Sequence, residues 1–514
     1  MSERAVVVGA GFGGLAAAIR LRARGYDVTV LEGMDQPGGR AAVFRRDGFT
    51  FDAGPTVLTA PHLLHELFAL VGRDSRDYFS LVPIDPFYRI EFADGTHFDY
   101  VGDEKRLIEQ IHDMSPGDVD GYRRLAAHAQ RIFDVGFTRL SDIPFHRPGT
   151  MLRAIPQMLR LENHRSVYAL VSRYIRDERL RQAFSFEPLL VGGNPFKVTS
   201  IYLLIHWVER RWGVHFAMGG TTSVVAGMVR LLGELGVEVR TSTPVERIEV
   251  SGRRVTGVRT EAGETLGADV VVANADPGQV YGKLLPDETR TPARRAMLAT
   301  RRYSMGLFVG YFGTRRTYPQ LAHHTILMGP RYRGLLHDIF TRRVLADDFS
   351  LYLHAPTRTD PSLAPPGHEG FYVLSPVPNN RAGIDWEQEG PRYFERILDH
   401  LEGRLLPGLR ENLVTRFHVT PGYFEHTLRS TDGAGFGIEP RLTQSAYFRF
   451  HNRSPVFDNL YFVGAGTHPG AGVPGVLSTA KVLERVVPSP AHPVAVTAPA
   501  ARIAAERRVE ALAV

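Results

Sequence analysis

The beginning of the chain carries a strand, a glycine-rich turn and a helix in the order that binds a dinucleotide. An apolar run at residues 5–8 leads directly into Gly-Ala-Gly-Phe-Gly-Gly at residues 9–14. In such a turn Gly9 permits the tight bend, Gly11 lets the backbone approach a pyrophosphate, and Gly14 lets the helix pack closely on the strand. The helix N-terminus offers free N–H groups and a positive dipole end to the phosphates. This arrangement predicts a dinucleotide site; the alternative is a plain tight turn in a βαβ unit.

Two features after this turn favour FAD as the dinucleotide. A second apolar run, residues 28–31, ends on Glu32, where a carboxylate accepts hydrogen bonds from an adenosine ribose. Gly38-Gly39-Arg40 follows, and this tripeptide at this place is typical of flavoproteins that bind extended FAD. Gly39 lets the chain pass close to the adenosine and phosphates, and Arg40 can neutralise the pyrophosphate with a fork of N–H donors. The alternative for Arg40 is an arginine on a solvated turn.

The end of the chain repeats the order of strand, turn and helix. The apolar run 460–463 leads into Gly464 and Gly466, which permit close approach of the backbone to a cofactor, and a helix is predicted to begin within Gly472–Val476. N–H groups at that N-terminus would face the N1/O2 edge of an isoalloxazine ring, where negative charge builds up on reduction. We therefore expect this segment to contact the flavin; an ordinary strand–helix turn is the alternative.

Composition excludes several other classes of protein. The 514 residues include no cysteine, which excludes disulfides, thiolate metal sites and a flavin tethered through sulfur. The net charge is +6, but the arginines are spread out, so nucleic acid is not expected as a partner. No apolar run reaches the ~18 residues of a membrane span, and the chain begins on the nucleotide strand without a recognisable signal peptide. The histidines show no recognised ligand spacing, so no metal site is predicted, and packing or solvation is assigned to His206, His215, His323, His324 and His468.

The order of elements predicts an α/β fold with a Rossmann-like FAD-binding domain built from discontinuous segments. An α+β substrate domain with a helical, membrane-associated part accompanies it. The predicted boundaries are residues 1–60, 217–285 and 455–487 for the FAD-binding domain, 61–216 for the helical and membrane-facing part, 286–454 for the strand-rich substrate domain, and 488–514 for a Pro/Ala linker and tail. Within the tail, residues 500–512 form either a short basic amphipathic helix or a disordered end.

Eight stretches carry a resemblance to a known family. They are GAGFGGLAAAIRL at 9–21, PGGRA at 37–41, GFTFDAGPTV at 48–57, LRQAFSFEPLLVGGNPF at 180–196, QLAHHTILMGPRYR at 320–333, DFSLYLHAP at 348–356, LTQSAYFRFHNR at 442–453 and NLYFVGAGTHPGAGVPGV at 459–476. In these stretches the chain resembles the phytoene desaturases of the bacterial and fungal type, which are the carotenoid-desaturase branch of the amine-oxidase-like flavoproteins. The likeness covers nearly everything before the Pro/Ala tail. Many flavoproteins share the first motif, whereas the last is much more diagnostic of carotenoid desaturases and isomerases.

The resemblance implies a peripheral membrane enzyme with non-covalent FAD. Such an enzyme draws a C40 polyene, 15-cis-phytoene, from the bilayer and dehydrogenates it successively towards lycopene or a partly desaturated intermediate. Oxygen or a quinone is the implied electron acceptor, and the implied location is cytoplasmic, on the inner face of the cell membrane. The implied FAD contacts are Gly9, Gly11, Gly14, Glu32, Gly39, Arg40, Val245, Gly464, Gly466 and Val476.

Desaturation removes two hydrogens from adjacent carbons, one as hydride to the flavin and one as a proton. Because a polyene offers little polar chemistry, the expected site is an apolar tunnel beside the flavin. Arg153 and Glu187 are the acid/base or electrostatic candidates, with a surface salt bridge as the alternative for both. The family commonly has an acidic residue where Thr150 stands in this chain. Candidate tunnel residues, each of which ordinary core packing also explains, are Phe184, Phe186, Leu189, Leu190, Tyr202 and Trp207.

Three other functions share parts of this pattern. A carotenoid isomerase, or a desaturase of another carotenoid, has every FAD motif. A flavin amine oxidase needs an aromatic cage and often a cysteinyl flavin, which the absence of cysteine disfavours. A prenyl-binding escort protein of related fold would be colourless. The membrane role rests on the resemblance and on the amphipathic stretches 151–161 and 198–212, which ordinary surface helices also explain. The number of desaturation steps, the product geometry and the oligomeric state stay open.

Overall fold

The computed structural model describes residues 2–289 and 291–495. Its strands are β1 (Arg4–Val8), β2 (Asp27–Leu31), β3 (Val43–Arg46), β4 (Phe49–Asp52), β5 (Leu81–Pro83), β6 (Tyr88–Glu91), β7 (His97–Tyr100), β8 (His215–Ala217), β9 (Glu238–Arg240), β10 (Val245–Ser251), β11 (Arg254–Thr260), β12 (Thr265–Gly267), β13 (Val270–Ala273), β14 (Gly306–Thr314), β15 (His324–Leu327), β16 (Leu351–His354), β17 (Glu369–Val377), β18 (Leu413–Val419) and β19 (Leu460–Phe462). Its helices are α1 (Phe12–Ala23), α2 (His62–Ala69), α3 (Glu104–Met114), α4 (Val119–Gly136), α5 (Pro148–Arg160), α6 (Val167–Val171), α7 (Glu178–Ala183), α8 (Leu204–Trp212), α9 (Thr221–Glu234), α10 (Pro277–Gln279), α11 (Pro292–Thr300), α12 (Tyr332–His337), α13 (Trp386–Arg404), α14 (Leu409–Asn412), α15 (Pro421–His426) and α16 (Val473–Val486).

A parallel sheet carries the glycine-rich turns. Its five strands follow the order β19-β13-β1-β2-β9, so strands from three separated stretches of the chain lie side by side. β1 and β13 are made of valine and alanine apart from Arg4, and these apolar residues are buried, as central parallel strands require. Both β13 and β19 run parallel to β1, so the carboxyl ends of these strands meet at one edge. The smaller antiparallel sheet β10-β11-β12 lies in the chain between β9 and β13.

A buried arginine ties the helices beside this sheet together. Arg20 of α1 is only 2% exposed and pairs with Glu66 of α2 and, at 2.9 Å, with Glu484 of α16. A buried charge is tolerated only when it is paired, so the three helices hold a fixed arrangement around this guanidinium. The arrangement sets where the N-termini of α1 and α16 point.

A second sheet of seven strands follows the order β18-β14-β17-β16-β15-β6-β7. The β6–β7 hairpin joins it through parallel pairing of β6 with β15. The region 61–216, assigned to a helical part from its periodicity, therefore contributes two strands to the sheet of the region 286–454. Backbone hydrogen bonds therefore cross the predicted border between these regions, both of which the sequence assigns to the substrate domain. Pairing between strands more than two hundred residues apart leaves no trace in local periodicity.

The described part of the predicted linker is held against the nucleotide end of the fold. The carbonyl of Pro488 accepts from the Tyr26 hydroxyl, and the N–H of Val494 donates to the carbonyl of Gly25 at 2.7 Å. Arg22 donates to the carbonyls of Val494 and Ala495. Residues 488–495 are therefore bound to the α1–β2 turn rather than forming a free connection. Residues 500–512, for which the sequence predicts either a short helix or a disordered end, lie outside the described residues.

In the described parts of the chain, no helix has both the length and the apolar character required to traverse a bilayer.

Candidate active site

One large cavity joins the glycine-rich turns to the apolar face of the seven-stranded sheet. Its volume is about 1180 Å³. At one end it is lined by the Gly9–Gly13 turn, by Glu32 and by the segment 464–476. At the other end the lining is apolar and includes Met305, Leu307, Ile326, Tyr372 and Leu374. The nucleotide motifs and a hydrophobic surface thus share a single space.

Most of the predicted FAD contacts lie on the wall of this cavity, and two do not. A Cβ atom on Gly14 would lie 1.9 Å from the carbonyl oxygen of Gly9, so Gly14 serves the close packing of α1 on β1 that the sequence predicts. A Cβ atom on Gly466 would lie 2.4 Å from Cδ of Pro277, so this glycine lets two chain segments pack instead of admitting a ligand. On the wall are Gly9, Gly11, Glu32, Gly39, Arg40, Val245, Gly464 and Val476.

Asn274 is a cavity residue that sequence reasoning missed. It directly follows β13, and its side chain lies among the glycines of both nucleotide motifs. A Cβ atom added at Gly11 would lie 2.9 Å from Nδ2 of Asn274, and one added at Gly464 would lie 2.7 Å from Oδ1 of Asn274. The two turns are therefore held apart by one amide group. The available signal was an asparagine directly after a buried strand, which is where ligands of parallel sheets bind.

Glu32 is fixed by the backbone around it. Its Oε2 accepts the Ala10 N–H at 2.6 Å, and its Oε1 accepts the Met34 N–H at 3.0 Å. Each carboxylate oxygen has a second acceptor position, so the group keeps capacity for ribose hydroxyls. The carboxylate thus shapes the first turn as well as offering acceptors to a ligand.

Arg40 is a half-buried cation on the cavity wall. Its Nη2 donates to Ser430 Oγ at 2.5 Å, and its Nε has no hydrogen-bond partner among the described residues. Burial lowers the pKa of Arg40, and the nearby carboxylate of Asp276 partly offsets that effect. An anion in the cavity would accept from this guanidinium and offset the cost of desolvating its charge. The cavity wall at Arg40 is therefore suited to binding a pyrophosphate.

The closing motif presents a helix N-terminus to the cavity, as the sequence predicts. Gly472, with φ at +89°, precedes the first residue of α16, and residues 470–476 line the cavity. Gly464, with φ at +93°, donates its N–H to Thr479 Oγ1 at 2.9 Å. The positive φ values require glycine at both positions. The free N–H groups of α16 are thus aimed at the space where a flavin edge is expected.

The apolar lining of the cavity includes some of the predicted tunnel residues and not others. Phe184 is fully buried against Tyr122 and is absent from the lining. Trp207 is also absent from the lining and is partly buried against the core. The predicted residues on the wall are Phe186, Leu189, Leu190 and Tyr202, and residues of the seven-stranded sheet complete it.

Glu187 lies behind the cavity wall and does not line the cavity, whereas the neighbouring buried carboxyl group of Glu209 does. Glu209 of α8 lines the cavity and accepts the Tyr88 hydroxyl at 2.7 Å through Oε1. Its Oε2, and both oxygens of Glu187, have no hydrogen-bond partner in the described structure. Burial raises the pKa of Glu187 well above its ordinary value, and the charge of Glu209 raises it further. Burial also raises the pKa of Glu209, against the effect of the Tyr88 bond.

The neighbouring histidine does not neutralise this pair. His206 Nδ1 lies 3.6 Å from Glu187 Oε1, but burial lowers the pKa of His206 to about 3, so the ring is neutral. Its Nδ1 instead bonds the Tyr100 hydroxyl at 2.7 Å. Because two carboxylates cannot both ionise in a buried site without a counter-charge, the Glu187–Glu209 pair retains a proton near neutral pH. The sequence singled out Glu187 and missed Glu209, because only folding brings the two together.

Arg153 lies on the exposed outer side of α5 and is absent from the cavity wall. A group that handles the substrate proton must reach the reacting carbon, and this side chain does not do so. The position of Arg153 therefore does not support the catalytic role expected from sequence.

Replacement of Arg40 tests whether the polar end of the cavity binds a pyrophosphate. We expect Arg40→Gln to weaken FAD binding by roughly tenfold to a hundredfold, because a hydrogen bond to a charged group contributes about 1.5–3 kcal/mol. Titration of the apoprotein with FAD, followed by flavin fluorescence, measures the change. Arg46→Gln removes an arginine whose side chain is 53% exposed and should leave the affinity unchanged. Equal FAD affinities for the Arg40 variant and the unsubstituted protein would contradict this assignment.

Comparisons with known proteins agree with this geometry. Residues 12–482 match the family of flavin containing amine oxidoreductases, which confirms the expected flavin cofactor, FAD. A lycopene-forming phytoene desaturase of Pseudescherichia vulneris is 53% identical over 480 residues, which cover 93% of this chain and 98% of the relative. A neurosporene-forming phytoene desaturase of Rhodobacter capsulatus is 44% identical over 95% of each chain.

A solved structure shows the same fold at low sequence identity. An oxidoreductase from Methanosarcina mazei superposes with a TM-score of 0.65 at 18% identity, covering 94% of this chain and 100% of the other. The α/β architecture expected from sequence is thereby confirmed. From the family match and the full-length relatives, the chain belongs to the flavin-containing amine oxidoreductases, in the group of bacterial phytoene desaturases.

Proposed function

We propose that the protein desaturates 15-cis-phytoene by successive FAD-dependent dehydrogenations. The observation that carries this proposal is the single cavity of about 1180 Å³, polar and glycine-lined at one end and apolar at the other. A hydride can pass only between groups held in contact, so a flavin and a long apolar substrate must share one space. The names of the relatives supply the substrate class, and the higher identity to the lycopene-forming relative favours lycopene as the end product.

The polar end accounts for cofactor binding. The parallel sheet β19-β13-β1-β2-β9 acts as a Rossmann-like domain, with Arg40 at the pyrophosphate and Glu32 at the ribose. Gly464 and Val476 border the flavin together with the N-terminus of α16. Bound FAD supplies the two-electron oxidant for the hydride, and oxygen or a quinone restores it.

The substrate proton goes to the buried carboxyl pair. Each double bond requires loss of one hydride and one proton from adjacent carbons. Glu209 is the member of the pair on the cavity wall, and its Oε2 is unpartnered among the described residues. The Tyr88 hydroxyl orients the carboxylate through its bond to Oε1. In its ionised form Glu209 takes the proton, and burial raises the basicity of this carboxylate. Aromatic and aliphatic side chains hold the polyene and exclude water.

The substrate enters from a membrane surface through the side of the cavity next to α5. Met151 and Met158 of this helix line the cavity together with Leu442 and Ala446. The outer residues around this opening form an exposed apolar patch, consisting of Leu152, Ile155, Leu159, Leu442 and Phe448. Arg147, Arg153 and Arg160 are exposed on the same helix or at its start, and their charges suit anionic lipid headgroups. The expected location is accordingly peripheral, on the cytoplasmic face of the cell membrane.

Turnover of phytoene tests the function, and a variant of Glu209 tests the proton route. FAD-loaded protein incubated with liposomes containing 15-cis-phytoene should form desaturated, coloured products that chromatography identifies. Glu209→Gln should retain FAD but lose roughly a hundredfold or more in rate, since general base catalysis contributes about 10²–10⁴-fold. Because the pKa of Glu209 is raised and the base must be ionised, the rate of the unsubstituted protein should rise with pH through that pKa. The variant should lack this rise.

The outcomes of this assay separate the rival functions. Geometric isomers without new double bonds would indicate an isomerase, and turnover of amines in place of phytoene would indicate an amine oxidase. Glu234→Gln changes a glutamate outside the cavity and should have the rate of the unsubstituted protein. A fully active Glu209→Gln protein would contradict the proposed proton route.

The exposed patch predicts binding to lipid vesicles. Leu152→Glu combined with Leu159→Glu places charge on two side chains that are 66% and 57% exposed. Since burial of a leucine contributes about 1.5–3 kcal/mol, the double variant should bind vesicles of phosphatidylcholine and phosphatidylglycerol at least tenfold more weakly. Co-sedimentation measures the bound fraction. Val414→Glu, at a residue that is 46% exposed on β18, is the matched control and should bind normally. Undiminished binding of the double variant would contradict a membrane role for α5.

A further inference from the structure

Three histidines meet in the interior of the protein, beside the cavity. His324 begins β15, His323 precedes it, and His354 ends β16, directly opposite His324 in the antiparallel pair. All three side chains are buried, with exposures of 6%, 0% and 1% for His323, His324 and His354. No spacing in the sequence marks them as a set, because only the pairing of β15 with β16 brings His354 to the other two.

Their ring nitrogens lie close together. One nitrogen from each ring lies within 4.8 Å of one nitrogen from each of the others. The Nε2 atoms of His323 and His354 are only 3.0 Å apart, and the rings of His324 and His354 stack with centroids 5.2 Å apart. Three histidines with converging nitrogens are the protein ligands of several zinc sites.

The outward nitrogens of two rings are already oriented. His323 Nδ1 bonds Thr359 Oγ1 at 2.6 Å, and His324 Nδ1 bonds the Tyr352 hydroxyl at 2.8 Å. A histidine that ligates a metal commonly donates its other N–H to such a partner, which selects the tautomer with a free ligand nitrogen. Nε2 of His324 and Nδ1 of His354 have no hydrogen-bond partner in the described parts of the chain. Buried nitrogens without a hydrogen-bond partner call for a further group that satisfies them.

We infer that His323, His324 and His354 bind one Zn²⁺ ion. Imidazole ligands without thiolate or carboxylate select a borderline divalent cation, and three protein ligands leave a fourth position for water. Such a site differs from the expectation, drawn from sequence spacing, that His323 and His324 are packed or solvated. It is distinct from the flavin site and requires no redox change of the metal.

The site is linked to the cavity by two hydrogen bonds. Tyr352 Oη bonds His324 Nδ1 at 2.8 Å and Thr56 Oγ1 at 2.6 Å, and both Tyr352 and Thr56 line the cavity. With the metal on Nε2 of His324, Nδ1–H donates to Tyr352, and the tyrosine must then donate to Thr56. Metal binding thus fixes the direction of the hydroxyl on the cavity wall. The metal acts on the cavity through this positioning and touches no reacting atom.

Metal content of the holoprotein tests the inference. Untagged, FAD-loaded protein is depleted with a chelator, titrated with Zn²⁺ alone, dialysed and analysed by elemental mass spectrometry. We expect one Zn²⁺ per chain, and substitution with Co²⁺ should give the intense visible bands of tetrahedral coordination. His324→Gln and His354→Gln should each bind Zn²⁺ at least tenfold more weakly. His128→Gln is the matched control, because this buried histidine already bonds Tyr174 and the carbonyl of Leu161.

Loss of bound FAD would reveal that a variant fails to fold. In that case the zinc site is tested on the unsubstituted protein alone. X-ray absorption at the zinc edge of the loaded protein should count three imidazole ligands. Absence of bound zinc after titration, fewer than three histidine ligands, or unchanged affinity in folded His324→Gln protein would overturn the inference. In that case the three rings form a hydrogen-bonded cluster without a metal.

Discussion

The meeting of three strand ends at one edge of the parallel sheet is the constraint on which the rest of the structure depends. β1, β13 and β19 come from distant parts of the chain, yet each ends where the next residues must approach one another closely. Asn274 lies between the two glycine turns at distances that leave no room for a Cβ atom at Gly11 or Gly464. Close backbone approach at this edge creates the polar end of the cavity, because N–H groups and helix N-termini are left facing the same space.

The apolar end follows from the second sheet. Residues of β14, β15, β16 and β17 turn their side chains towards the cavity and extend it away from the glycine turns. The result is a gradient of polarity along one cavity: Arg40 and backbone donors at one end, hydrocarbon at the other, and the buried carboxyl of Glu209 on the wall. Redox chemistry on an apolar substrate needs this combination, since the flavin requires fixed dipoles while the polyene requires exclusion of water.

Local features of the fold were predictable from sequence, and long-range ones were not. Short motifs predict the turn at Gly9–Gly14 and the start of α16 near Gly472. Because the geometry of such motifs depends on neighbouring residues, both predictions agree with the structure. The pairing of β6 with β15 joins residues far apart in the chain, and no local periodicity predicts it. For the same reason the sequence placed Arg153 in catalysis and overlooked Glu209 and Asn274. Side-chain direction decides all three positions, and only the packing of α5, α8 and β13 determines it. Gly466 shows the same limit, because its crowding by Pro277 is a contact between segments distant in sequence.

Hydride transfer requires that the flavin and the polyene lie in contact within one cavity. Anaerobic mixing of FAD-loaded protein with 15-cis-phytoene in liposomes, with the flavin absorption band and the products followed in the same sample, tests this contact. We expect the oxidised flavin to bleach in a single turnover, with one new carbon–carbon double bond formed for each flavin reduced. New double bonds without flavin reduction, or a flavin that stays oxidised beside bound phytoene, would contradict it.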